Sequence, residues 1–309
     1  MVAPFVLPQE IWSFDSGKTN GVMPAHVPQQ SGMKQDREYL ILIDFLARLL
    51  ESTKGTELDA ETLWLADTQP LAAKFLMHCG SIFHLAHGSI IPNILGKTLS
   101  YLDNHSIFVL VRTVHELHLA FNFIYVAPAT VEEKAFRHKV WELGAFLDRQ
   151  KFPMTEEENI KKQQSERAIV DQLTQAIQSY AVFNSLRSGQ KNKAIKGEWR
   201  LGYQWVDLAE FAILDEEQFR STYRYLCSYA HTGHLSIFQM QRAADISKTI
   251  SLTETWIDSV MGVISHFIYD YMKVYPKTVE LFKQYPKAEE LAYIHDGLGR
   301  KPIDANGDG

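Results

Sequence analysis

Cysteine is almost missing from this chain. Cys79 and Cys227 are the only two in 309 residues, too few for a disulfide framework or a multi-cysteine zinc site, and both sit in apolar helical text that suits a small core residue. Several catalytic signatures are missing too. There is no G-x-x-x-x-G-K-[ST] phosphate loop, no G-x-S-x-G elbow, no H-E-x-x-H and no Glu-x-x-His pair, which removes the common nucleotide, serine-hydrolase, zinc-hydrolase and di-iron routes. An excess of positive charge is absent as well: 31 Lys and Arg face 37 Asp and Glu. Any contact with nucleic acid must therefore be a local basic patch, because the whole surface does not attract phosphate.

The N-terminus lacks a basic region ahead of an apolar run and is interrupted by prolines, so it does not read as a signal peptide. The most apolar stretch, residues 105–127, carries Arg112, His115, Glu116 and His118, and charged groups at those depths argue against a bilayer span. The expectation is a soluble, cytoplasmic protein without a membrane partner.

Alternating strand patterns are nearly absent, and what is present is helical period. Residues 1–34, with Pro4, Pro8, Pro24 and Pro28, read as an irregular arm. Residues 35–286 read as one all-α domain, a single helical bundle of about eight helices. Helices are expected over about 38–53, 69–90, 104–126, 130–150, one long stretch 155–187 capped by Thr155, then 206–214, 216–231 with Asp215 as N-cap, 252–274 and a short 277–284. The apolar 104–126 helix should be central. Residues 187–200 read as a basic loop, and 287–309 as a loosely held tail.

Arg224 and His231 stand seven positions apart near the end of one expected helix. Two helical turns bring them to one face about 10 Å apart along the axis. A guanidinium can hold a phosphate through two N–H groups, and an imidazole can exchange a proton near neutrality. Together they are candidate catalytic residues for cutting an RNA phosphodiester without a metal. The alternative is that His231 simply closes the helix by bonding free carbonyls ahead of Gly233.

Arg112 and Glu116 lie at i and i+4 in the apolar helix. They read either as an internal ion pair or as a guanidinium held toward a cleft. If that helix packs on 216–231, Arg112, Glu116 and His231 would form one polar pocket. His115, Tyr223 and His234 are further candidate binding residues. So are Lys191, Lys193 and Lys196 of the basic stretch, which with Arg187, Arg200, Trp199, Tyr203 and Trp205 would grip a backbone and stack a base, or else stay solvated. His84 with His87 and His115 with His118 have a spacing that two ligands of one metal use, but no carboxylate set accompanies them. No metal or cofactor is expected.

The Arg-x6-His pattern of Arg224 and His231 on a late helix of an all-helical chain resembles the signature of the HEPN superfamily. That resemblance implies a metal-independent endoribonuclease whose site forms where two protomers meet, hence RNA and a homodimer as candidate partners and toxin or phage-defence roles. The pairing of an R-x-x-x-E helix (Arg112, Glu116) with a Y-x-x-L-S/C-x-x-x-H helix (Tyr223, Leu226, Cys227, His231) is similar to a family of uncharacterised bacterial and phage helical proteins. The competing expectation is a non-catalytic helical module that binds a protein partner or a small anionic ligand.

Overall fold

The structure, a computed structural model, describes residues 35–94, 97–231, 233–234, 236–238 and 246–297. All of them belong to the unit Met33–Gly309. The expected N-terminal arm and the last twelve positions of the expected tail lie outside the described residues.

The chain is all-α, apart from one small hairpin among the described residues. Helix α1 (Asp36–Ser52) and a 3-10 turn (Leu63–Asp67) lead to α2 (Thr68–Ala86). The antiparallel strands β1 (Ser89–Ile94) and β2 (Lys97–Tyr101) follow. Then come α3 (Asn104–Phe121), which runs on as a π-turn over Asn122–Val126, α4 (Val131–Lys151) and α5 (Glu157–Ser179). Short helices α6 (Ala181–Ser185), α7 (Ser188–Ala194) and α8 (Trp205–Phe211) precede α9 (Glu216–Ala230). The long α10 (Ile246–Val274), α11 (Val279–Lys283) and α12 (Pro286–Asp296) complete the described chain.

Helix starts follow from local chemistry. Asp103, Thr130 and Asp215 each accept a hydrogen bond from the backbone N–H three residues on, at 3.0, 3.1 and 2.7 Å, satisfying donors that the helix itself cannot. Helix α3 is central as expected. It packs against α2, α9 and α10 and buries Ile107, Phe108, Val111, Val114, Leu119 and Phe121. The segment Asn104–Val126 is long and apolar enough to cross a membrane by length and composition, yet 67% of its most apolar window is buried inside the protein. A core helix passes the same test.

Two apolar clusters result. The main one joins α1, α2, α3, α8, α9, α10, α11 and α12; the second holds Phe136, Val140, Leu143, Leu173, Ile177, Ala194 and Leu201. Trp199 and Tyr203 pack on both. The second cluster depends on a close backbone approach: a Cβ on Gly144 would lie 2.5 Å from the carbonyl oxygen of Gly197, so only glycine fits there.

Several expectations need correcting. The stretch 155–187 is not one helix, because Tyr180 is extended (ψ 139°) and turns the chain back so that its ring meets Phe136 edge-on at 5.9 Å. Glu156, not Thr155, precedes the helix. The basic stretch 187–200 is half helical: Gln190 accepts from the Arg187 N–H, and Ala194 is buried in the second cluster. Residues 286–296 are not a loose tail, since α12 buries Ala288, Leu291 and Ala292 against α10 and α1. The hairpin was not expected; Pro92 and the irregular pairing between Ile91 and Ile94 obscure its alternation, and Asn93 carries its positive φ of 62°.

Candidate functional site

Helices α3 and α9 run side by side in opposite directions, with His115 meeting Phe219 and Phe108 meeting Tyr229. Their seam holds a polar group. Arg112 Nε donates to Glu116 Oε1 at 2.9 Å, Arg112 Nη2 donates to Tyr223 Oη at 3.3 Å, and Tyr223 Oη donates to the same Glu116 Oε1 at 2.5 Å. Arg112 Nη1 lies 3.1 Å from His231 Nε2. A guanidinium only donates, so the imidazole nitrogen accepts, and His231 is neutral with its proton on Nδ1 in this arrangement.

Arg112 and Glu116 side chains are about one-fifth exposed, at 18% and 22%, while His231 is exposed at the end of α9. Burial works against the charge on Arg112, but the Tyr223 hydrogen bond and the Glu116 carboxylate outweigh it and hold its pKa above the ordinary value. Burial and then the Glu116 carboxylate raise the Tyr223 phenol, against the opposing pull of Arg112. The phenol is therefore a fixed donor over the whole working range. Three of the five N–H groups on Arg112 are used in these contacts, which leaves two for a ligand.

The structure thus joins Arg112, Glu116, Tyr223 and His231, four residues separated by up to 119 positions. It does not join the others. Arg224 is exposed on α9 and is no partner of this group; the arginine that meets His231 comes from α3. His234 is exposed. His115 is only 7% exposed, and neither ring nitrogen has a hydrogen-bond partner. Burial, then the neighbouring His118, push its pKa down to about 3. It is an inward-facing neutral imidazole, unavailable to a substrate. Lys191 lies over the Phe183 ring, Lys193 pairs with Glu198 at 3.0 Å, and Lys196 is exposed; all three belong to the α7 region rather than to the α3–α9 seam.

A second polar group, between α3 and α10, was not expected from the sequence. His118 Nε2 lies 3.0 Å from Asp270 Oδ2, and Asn122 Nδ2 donates to the same oxygen at 2.7 Å. His118 and Asp270 side chains are 1% exposed. Burial disfavours the Asp270 charge, but His118 and the nearby Lys273 outweigh it and lower its pKa to about 2. The only signal was a lone Asp in an apolar run of α10.

No curated protein and no solved structure matches the chain. The model of a family of unknown function, DUF5677, matches residues 70–246, more than half of the chain and all four members of the Arg112 group. The chain belongs to this family of unknown function, DUF5677.

Proposed function

We propose that the α3–α9 seam is the centre of a HEPN-like, metal-independent endoribonuclease. The observation that carries this reading is the 3.1 Å contact between Arg112 Nη1 and His231 Nε2, with Glu116 and Tyr223 fixing the guanidinium behind it. A phosphate-binding cation and a neutral imidazole stand side by side at the rim of the protein.

In this scheme an RNA phosphodiester takes the free N–H groups of Arg112, and Arg224 on the exposed face of α9 holds an adjoining phosphate. The anion draws Arg112 away from His231 and frees the Nε2 lone pair. Nε2 then accepts the proton of the 2′-hydroxyl, whose oxygen attacks the adjacent phosphorus. The P–O5′ bond breaks, the 5′-oxygen leaves with a proton from the imidazolium, and a 2′,3′-cyclic phosphate remains. Negative charge building on the phosphoryl oxygens is met by the Arg112 guanidinium. Glu116 and Tyr223 are positioning residues, because they touch Arg112 and not the substrate.

The test is cleavage of a mixed RNA pool by purified protein in EDTA, with His231→Ala and Arg112→Ala beside the wild type and the product ends typed. Cyclic phosphate ends that form in EDTA and vanish in both variants support the reading. Products that require added metal, or that persist unchanged in His231→Ala, overturn it.

A further inference from the structure

The segment from Ala194 to Trp205 is held in an unusual backbone conformation. Gly197, Leu201 and Gly202 have φ values of 66°, 52° and 96°, and for the buried leucine this is a strained state. Such strain persists only where the surroundings impose it, and it concentrates at binding sites. Here the imposing contacts are the Gly144–Gly197 approach and the packing of Trp199 and Tyr203 on both apolar clusters.

This rigid segment frames a cavity of about 180 Å³ lined by Lys193, Glu198, Trp199, Arg200, Tyr203 and Gln204. The Arg200 guanidinium lies over the Trp205 ring at 4.9 Å and donates to the Tyr203 carbonyl at 3.4 Å. Stacking and one hydrogen bond orient it while its other N–H groups stay open. Lys193 enters from α7, with its stem against Gly202, where an added Cβ would lie 3.1 Å from Cδ and Cε. Its ammonium meets Glu198 at 3.0 Å, in a pair whose side chains are 42% and 50% exposed. Water weakens so exposed a pair, so the ammonium can be shared with an incoming anion.

Two oriented cations, half-buried aromatic rings and the polar edges of Glu198 and Gln204 make a cavity with a place for a phosphate and a place for a flat heterocycle. The Glu198 carboxylate disfavours a bare phosphate ion, so the ring must supply part of the binding. We infer that this cavity takes one nucleotide of single-stranded RNA, its phosphate on Arg200 and Lys193 and its base against Trp199 and Tyr203. The inference rests on the ribonuclease reading for the identity of the polymer. Trp205 opens α8, which packs on α3 and α9, so the cavity and the seam are joined through one short helix.

The test is calorimetric titration of full-length His231→Ala protein with 5′-AMP, ribose 5-phosphate and inorganic phosphate. Base stacking predicts that 5′-AMP binds at least about tenfold tighter than the other two. Arg200→Ala and the charge-keeping Arg200→Lys should each weaken 5′-AMP about tenfold or more, with the thermal midpoint unchanged. Equal binding of all three compounds, no heat from 5′-AMP at millimolar concentration, or full affinity in both Arg200 variants overturns the inference. Wild-type protein that binds 5′-AMP but cuts no RNA sinks the ribonuclease reading alone. Protein that cuts RNA but does not bind 5′-AMP sinks this inference alone.

Discussion

One helix, α3, carries two polar groups, one facing α9 and the other facing α10. Toward α9 it offers Arg112 and Glu116, which meet Tyr223 and His231 at a partly open seam. Toward α10 it offers His118 and Asn122, which meet Asp270 where no water reaches. Both groups are hydrogen-bonded, and both include a histidine. What separates them is access: an imidazole at the rim can trade its partner for a ligand, whereas one sealed in the core can only hold the helices together. A histidine and a charged neighbour do not identify a site until the exposure of each is known.

The comparison breaks most sharply at its two histidine partners. His231→Ala should lower RNA cleavage by about 10²–10⁴-fold, the usual contribution of a general acid–base group, with the unfolding midpoint little changed; assay and thermal melt together check this. Asp270→Ala should do the reverse. Leaving His118 and Asn122 buried without their carboxylate should cost about 3–5 kcal/mol, read by denaturant titration, while cleavage per folded molecule survives.

Acid should act through the buried side chains His115 and Asp270. The folded pKa of His115, about 3, lies below its unfolded value near ~6.5. Between those values the unfolded chain binds a proton that the folded chain refuses, so stability is full above about pH 6.5 and falls as the pH is lowered. At pH 5 this loss is about 2 kcal/mol, and His115→Leu should abolish it, as seen in denaturant midpoints measured from pH 7 to 5. Asp270 has the same sign in a lower window. Its stabilisation is complete above the ordinary carboxylate range near ~4 and is lost toward its folded pKa of about 2. The smallest effect should come from Tyr223→Phe. Removing the donor to Glu116 should cost about 1 kcal/mol and lower cleavage about fivefold, and a larger fall would move Tyr223 from positioning into the chemistry itself.

The fold class and the central place of α3 were legible because both rest on local periodicity; the meeting of Arg112, Glu116 and His231 was legible only on the condition that their two helices pack together. A charged i, i+4 pair on an apolar helix and a histidine at a helix end must go somewhere polar, and two adjacent helices supply it. Spacing along α9 puts Arg224 and His231 on one face, but it could not show that the guanidinium within hydrogen-bond distance of His231 comes from another helix, as Arg112. The Asp270 group was invisible for the related reason that its partners are about 150 positions apart. The break at Tyr180 and the helix over Ser188–Ala194 were missed because tertiary packing, not propensity, decides them.

The meeting of Gly144 and Gly197 has a consequence for how this chain can vary. Most close contacts in a core can be rescued after a mutation, because a neighbour can shrink to receive an enlarged side chain. Here both partners are already the smallest residue, and each would press its new methyl against the other's backbone. No second substitution at the opposite position can make room. The two sites, 53 positions apart in the chain, should therefore be closed to change both singly and as a pair.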